Sequence, residues 1–217
     1  LCSKEITQDY SKVKSYLYDY LAKELDMLEK HLTDNKINFN FKEIYLGGGS
    51  PTYYKKEEFK YLVGRLRNLI DFNNLGDFTI EVDPRRVTEE NLLFYHEMGV
   101  NRLSFGIQDF DHGVQEEINR IQPPELLDKL LTPEIRKLFP VINFDLLIGL
   151  PRQTTKTIEK TIQEVTRLKP SQLQTMYVHY KPGTRKYMIK MVRNEPMLDF
   201  YDRKAVFQKA SEMLINS

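Results

Sequence analysis

Five short apolar runs, each followed by turn residues and then by a helical pattern, restrict the folds open to this chain. The runs are Glu43 to Leu46, Phe78 to Val82, Arg102 to Ile107, Val141 to Ile148 and Leu173 to Val178. Helical spacing follows at roughly Lys56 to Leu69, Glu89 to Met98, Val114 to Asn119, Thr154 to Leu168 and Asp199 to Ile215. Runs nearly continuous in Val, Ile, Leu and Phe suit strands buried on both faces, and their alternation with helices predicts a parallel sheet covered by helices. An amphipathic stretch precedes them from about Ser11 to Leu32, with Val13, Tyr16, Leu17, Tyr20, Leu21, Leu25 and Leu28 at helical spacing. The expected class is α/β.

At 217 residues the chain is long enough for one full domain and short for two, so one domain over residues 1–217 is expected. There is no internal repeat, and Pro123-Pro124 reads as a local break. A formal net charge of +1 leaves no electrostatic footprint for nucleic acid or an acidic membrane surface. The apolar run Phe144 to Leu150 is far too short to span a bilayer. One cysteine, Cys2, cannot form an internal disulfide, and with the polar segment after it this suggests a reducing, cytoplasmic setting. The opening Leu1-Cys2-Ser3 and the stop after a helical pattern suggest a fragment of a longer chain.

Glycines and polar residues gather just after the strands: GGGSP after Leu46, EVDPRR after Ile80, GIQDF after Phe105, and DLLIGLP in and after the fourth run. In parallel α/β folds the carboxyl ends of the strands are where ligands bind. Gly47-Gly48-Gly49-Ser50-Pro51 matches neither G-x-G-x-x-G nor a G-K-[ST] phosphate loop. It is either a tight turn or backbone left open for a ligand to approach. Glu81 and Asp83 share one face if both lie in the strand. They either cap the next helix with Arg85 and Arg86 as partners, or accept from hydroxyls or an ammonium group. Gln108 can donate and accept, while Asp109 suits a cap for the helix starting near Asp111. Arg120 suits either a surface carboxylate or a bidentate clamp on a ligand carboxylate. Asp145 interrupts an apolar strand, where a carboxylate needs a partner or a role. The histidines show no metal spacing: His31 and His96 read as helix-surface residues, and His179 lies past the last strand.

Taken in order, YLGGGSPT, TIEVDP, RLSFGIQDF with VQEEINRIQP, and NFDLLIGLPRQT resemble the oxygen-independent coproporphyrinogen III oxidase family of radical S-adenosylmethionine enzymes. The resemblance covers about Ile44 to Thr155. It implies a partial (β/α)6 barrel of parallel strands covered by helices, here lacking its first strand and C-terminal part. The family's ligand-contacting positions fall on Gly48, Gly49, Ser50, Glu81, Gln108, Arg120 and Asp145. By this resemblance Gly48 and Glu81 contact S-adenosylmethionine. Gly49, Ser50, Gln108, Arg120 and Asp145 line the place of a second molecule or the substrate, with Arg120 suited to a methionine carboxylate.

The implied cofactors are S-adenosylmethionine and a [4Fe-4S] cluster held by three cysteines. Their chemistry is one-electron cleavage of the sulfonium and hydrogen abstraction from the substrate. The implied reaction is oxidative decarboxylation of two propionates of coproporphyrinogen III, in haem biosynthesis, with no catalytic acid or base assigned. The implied partners are a tetrapyrrole and an electron-donor protein such as flavodoxin or ferredoxin, with no nucleic acid and no membrane, for a monomer in the cytoplasm. Two departures stand out. The C-x-x-x-C-x-x-C motif is absent, and Cys2 lies near where it would end, either as a cluster ligand or as the extra cysteine that follows. After the last strand the chain reads Tyr177-Val178-His179-Tyr180-Lys181-Pro182-Gly183-Thr184, closer to chaperone-like and methyltransferase-like relatives. His179 there takes the place of a small residue near the second ligand. The alternatives are radical methyl transfer, haem-ring opening or non-catalytic haem binding.

Overall fold

The computed structural model describes residues 9–38, 40–179 and 197–215. Among the described residues five strands form one sheet in the order β1-β2-β3-β4-β5, with β1 Glu43–Leu46, β2 Asp77–Val82, β3 Arg102–Gln108, β4 Val141–Ile148 and β5 Gln172–Tyr177. Neighbours in sequence are neighbours in the sheet with helices between them, as a parallel winding requires. The expected α/β class is therefore observed. The chain divides into two compact units, Leu1–Leu103 and Ser104–Ser217.

The first unit opens on α1 (Tyr10–Ser15), a π-helical segment (Tyr16–Leu21) and α2 (Ala22–Asp34). This continuous helical path is the expected helix, with Asp9 as its N-cap accepting from the Ser11 N–H at 2.9 Å. Of the expected apolar stripe, however, only Leu17 is buried, Val13, Leu21 and Leu25 are half-buried, and Tyr16, Tyr20 and Leu28 are exposed. After it come β1, α3 (Lys56–Leu69), β2 and α4 (Glu89–Glu97). β1 and β2 pair parallel, Glu43 opposite Asp77 and Leu46 opposite Ile80. Phe59 of α3 is fully buried and meets Phe94 and Tyr95 of α4 at 5.8 and 4.9 Å between ring centres. Asn101 fastens the end of the preceding turn, taking the Phe78 N–H on Oδ1 and giving Nδ2 to Gly76 O, each at 2.8 Å. α4 is capped reciprocally by Thr88 and Asn91.

The second unit contains most of β3, then α5 (His112–Glu117), α6 (Glu125–Leu130), α7 (Pro133–Leu138), β4, α8 (Thr155–Leu168), β5 and α9 (Phe200–Ile215). β4 and β5 pair parallel, Asn143 opposite Gln172 and Ile148 opposite Tyr177. Phe105 of β3 and Phe144 of β4 meet edge to face at 6.1 Å in the core. α8 buries Ile158, Ile162, Val165 and Leu168 on one stripe. Its last carbonyls are satisfied by Arg136, whose Nη2 reaches Leu168 O at 2.6 Å and Nη1 reaches Lys169 O at 3.2 Å.

Two helices, α6 and α7, were not anticipated. Six residues each are too few to display a helical period, and both start on proline-containing caps: Pro124 precedes α6, and Thr132 with Pro133 opens α7. α5 starts two residues before the expected Val114, because Asp111 is its N-cap and accepts from the Val114 N–H at 3.2 Å.

Candidate functional site

In the first unit the polar groups lie at the ends of β1 and β2. Ile80 and Val82 are buried, so strand alternation turns Glu81 to the opposite face. Its Oε2 accepts the Gly48 N–H at 3.0 Å and its Oε1 accepts the Tyr45 hydroxyl at 2.8 Å. The glycines make this possible. A Cβ on Gly47 would stand 2.4 Å from Tyr45 Cε1 and 2.8 Å from Glu81 Oε1. Gly48 has φ +78, which disfavours any side chain. A Cβ on Gly49 would meet nothing within 4 Å, so its backbone faces open space, and Ser50 beside it is exposed. The turn ends as Pro51 starts a short 3-10 turn through Tyr53.

Asp83 does not share this place with Glu81, contrary to expectation. β2 ends at Val82, and Asp83 folds back onto Arg85, accepting from Nε at 2.9 Å, Nη2 at 2.7 Å and the backbone N–H at 3.1 Å. Arg86 is a second cation at 3.8 Å. It caps no helix, since Thr88 does that for α4.

In the second unit, strand alternation puts Ser104, Gly106 and Gln108 on one face of β3 and Asn143 and Asp145 on one face of β4. Gln108, the last residue of β3, has φ +70, a left-handed conformation that costs a glutamine about 1–2 kcal/mol. Gly106 is bare because two side chains cross it: a Cβ there would lie 2.9 Å from Gln108 Nε2 and 3.2 Å from Arg120 Nη2. Arg120 gives Nη2 to Gly106 O at 2.9 Å and Nε to Gln122 Oε1 at 3.1 Å. Gln122 is itself clasped by Gln115, exchanging two backbone–side-chain bonds of 2.9 and 3.0 Å. Both glutamines are buried.

Asp145 is half-buried and its carboxylate is held from both sides. Ser104 Oγ donates to Oδ2 at 2.9 Å and Asn143 Nδ2 donates to Oδ1 at 2.7 Å. Asn143 Nδ2 also reaches Ser104 Oγ at 2.9 Å, which sets the direction of the serine proton. The chemistry of this face is a fixed carboxylate on β4, and the Gln108 carboxamide at the end of β3 beside the Arg120 guanidinium that reaches over β3 from beyond α5.

Asp109 has a structural role that sequence did not assign. It is fully buried and caps no helix. Thr161 Oγ1, the Asp111 N–H and Gln153 Nε2 donate to it at 2.6, 2.7 and 2.7 Å. Burial raises its pKa above the usual carboxylate range, against the three donors that favour the ionised form. Gln153 also gives Nε2 to Leu147 O at 2.9 Å and takes the Gly149 N–H at 2.7 Å, so Asp109 fastens the end of β3 to the turn after β4. Gln115, Gln122 and Gln153 carry no burial signal in the sequence, since a glutamine in a short helix or a turn is ordinarily exposed.

His179 is exposed, just past the Val178 N–H bond to Ile148 O. His31 is exposed as expected, but His96 is half-buried on α4, between buried Tyr95 and the turn. Cys2 and the Tyr180 to Thr184 segment lie outside the described residues. Among the described residues no three His, Cys, Asp or Glu side chains could hold a metal ion, and no helix is long and apolar enough to cross a membrane.

A profile of the Radical SAM superfamily matches residues 9–165. The oxygen-independent coproporphyrinogen III oxidase of Pseudomonas aeruginosa is 35% identical over 182 residues, covering 82% of this chain and 38% of the relative. That of Escherichia coli is 34% identical, also over 82% of this chain and 38% of the relative. The chain thus spans about two fifths of the length of these curated relatives. Among solved structures, Escherichia coli coproporphyrinogen III oxidase, described as a radical SAM enzyme, superposes with TM-score 0.87 at 29% identity, covering all of this chain and 48% of that one. An archaeal Elp3 from Methanocaldococcus infernus shares the fold at TM-score 0.69 and 14% identity, over 94% of this chain and 51% of its own. The chain belongs to the Radical SAM superfamily, whose members use S-adenosylmethionine and a [4Fe-4S] cluster.

Proposed function

We propose that the protein containing this sequence catalyses the oxygen-independent oxidative decarboxylation of coproporphyrinogen III to protoporphyrinogen IX. The observation that carries this reading is the guanidinium of Arg120 and the carboxamide of Gln108 brought over bare Gly106, with Gln122 seating the arginine. A planar fork beside a donor–acceptor amide suits a ligand carboxylate and its neighbouring polar groups. The 35% identity to the Pseudomonas aeruginosa oxidase over 82% of this chain supports the substrate.

The residues at the strand ends fit S-adenosylmethionine. Glu81, held by Gly48 and Tyr45, keeps acceptor capacity for an ammonium or ribose hydroxyls, and Gly49 leaves backbone open to a ligand. In this reading Gly48 and Glu81 hold the cleaved molecule. Gly49, Ser50, Gln108, Arg120, Asp145 and His179 serve a second molecule or the substrate. A cluster does not fit these residues alone: one cysteine cannot supply three thiolates, so Cys2 is assigned at most one ligand. When bound, the cofactors supply hydrogen abstraction, which no side chain here can perform. The protein's part is to orient the carboxylates and exclude water. The reading includes one domain, a monomer, a cytoplasmic location and an electron-donor protein such as flavodoxin or ferredoxin.

The test uses the full-length protein, reconstituted anaerobically and given coproporphyrinogen III, S-adenosylmethionine and reductant. Mass analysis should show a product lacking two carboxyl groups. A methylated or ring-opened product, or haem bound without turnover, would overturn the assignment.

A further inference from the structure

Arg203 on α9 lies across the end of β4. Gly149, the residue after β4, has φ +93, and a Cβ there would lie 2.5 Å from Arg203 Cδ and 2.9 Å from Cγ. The arginine stem is therefore pressed on glycine backbone and the side chain is half-buried. Its Nε donates to Asp199 O at 3.2 Å. Among the described residues neither Nη atom has a partner, whereas Lys209 on the same helix pairs with Glu159 at 3.8 Å. Asp199 Oδ1 accepts the Asp202 N–H at 2.8 Å, and among the described residues neither of these two acids pairs with the Arg203 Nη atoms. The wall beside Gly149 is apolar, with Leu150 and Val178 buried together and Leu147 and Met197 packed on them.

A guanidinium on a half-buried arginine, with its two-nitrogen fork unused and an apolar floor beside it, is arranged to receive an anion of matching planar shape. We propose that Arg203 binds a ligand carboxylate at the end of β4. The inference rests on the functional reading above, which supplies two carboxylates of the same chemistry: a propionate of the tetrapyrrole, or the methionine carboxylate of S-adenosylmethionine. Gly149 is part of the device, because a side chain there would push the arginine stem off the strand end.

The experiment compares full-length, cluster-reconstituted wild type with Arg203→Met, which keeps the stem, and Arg203→Lys, which keeps the charge without the fork. Coproporphyrin III, its tetramethyl ester and S-adenosylmethionine are titrated separately, and thermal melts check that each variant is folded. Arg203→Met should weaken one carboxylate-bearing ligand about tenfold or more, Arg203→Lys should restore part of that loss, and ester affinity should not change. Weakened coproporphyrin III with unchanged S-adenosylmethionine identifies a propionate, and the reverse identifies the methionine carboxylate. Unchanged affinity for both in folded variants overturns the inference alone. A wild type that binds neither ligand overturns it together with the functional reading.

Discussion

The Glu81 carboxylate accepts the backbone N–H of Gly48 at 3.0 Å. This bond joins the glycine turn after β1 to the end of β2, and it works only because Gly47 between Tyr45 and Gly48 has no side chain. Gly47→Ala should displace Glu81, weaken S-adenosylmethionine binding about tenfold and cost about 1–3 kcal/mol in stability. Isothermal titration and a denaturant melt measure both. Undiminished affinity would separate the glycine turn from cofactor binding. Gly64→Ala is the matched control: it lies in α3 with nothing within 4 Å of its Cβ, and should stabilise by about 0.5–1 kcal/mol.

Gly106→Ala should act through Gln108 and Arg120, whose Nε2 and Nη2 would lie 2.9 and 3.2 Å from the new Cβ. It and Arg120→Ala should each weaken S-adenosylmethionine binding about tenfold, and the double variant should lose less than the sum of the two. Additive losses would show that Gly106 does not act on the arginine.

Ser104→Ala removes the hydroxyl that donates to Asp145 and accepts from Asn143. With Ser104 and Asn143 both buried, the loss should be about 1–3 kcal/mol in chemical denaturation. A change within about 0.5 kcal/mol would mean that water replaces the hydroxyl.

Burial raises the Asp109 pKa above its unfolded value of about 3.9. The folded state therefore holds this proton longer than the unfolded chain does. The stability linked to Asp109 is present at low pH and is lost as pH rises through the folded value. Asp109→Asn leaves one donor among Thr161, Gln153 and Asp111 unmatched, a loss of about 1–3 kcal/mol. It also removes the titration. The stability of wild type minus variant should therefore shrink as pH rises from about 4 toward neutrality, followed by thermal melts across pH. A flat or growing difference would contradict the raised value.

Sequence made β2, β3 and β4 legible because buried parallel strands are written as apolar runs, and β2 and β4 end where those runs end, whereas β1 and β5 are mostly exposed. It also put Glu81, Gln108 and Asp145 at or near strand ends. It could not show that Glu81 and Asp83 take different partners, which depends on β2 stopping at Val82. Buried Gln115, Gln122 and Gln153 were hidden for another reason: their burial is secured by polar groups that only the fold brings near, such as Ile107 O for Gln122 and the Asp109 carboxylate for Gln153. Gly106 read as one strand residue among others, and only the two side chains crossing it explain its lack of a Cβ.

Radical S-adenosylmethionine chemistry on a tetrapyrrole would release 5′-deoxyadenosine, which is measured from the anaerobically reconstituted full-length protein with and without coproporphyrinogen III. Release should rise with added coproporphyrinogen III and fall sharply in Glu81→Ala. Release indifferent to the tetrapyrrole, or none at all while haem is bound tightly, would contradict it.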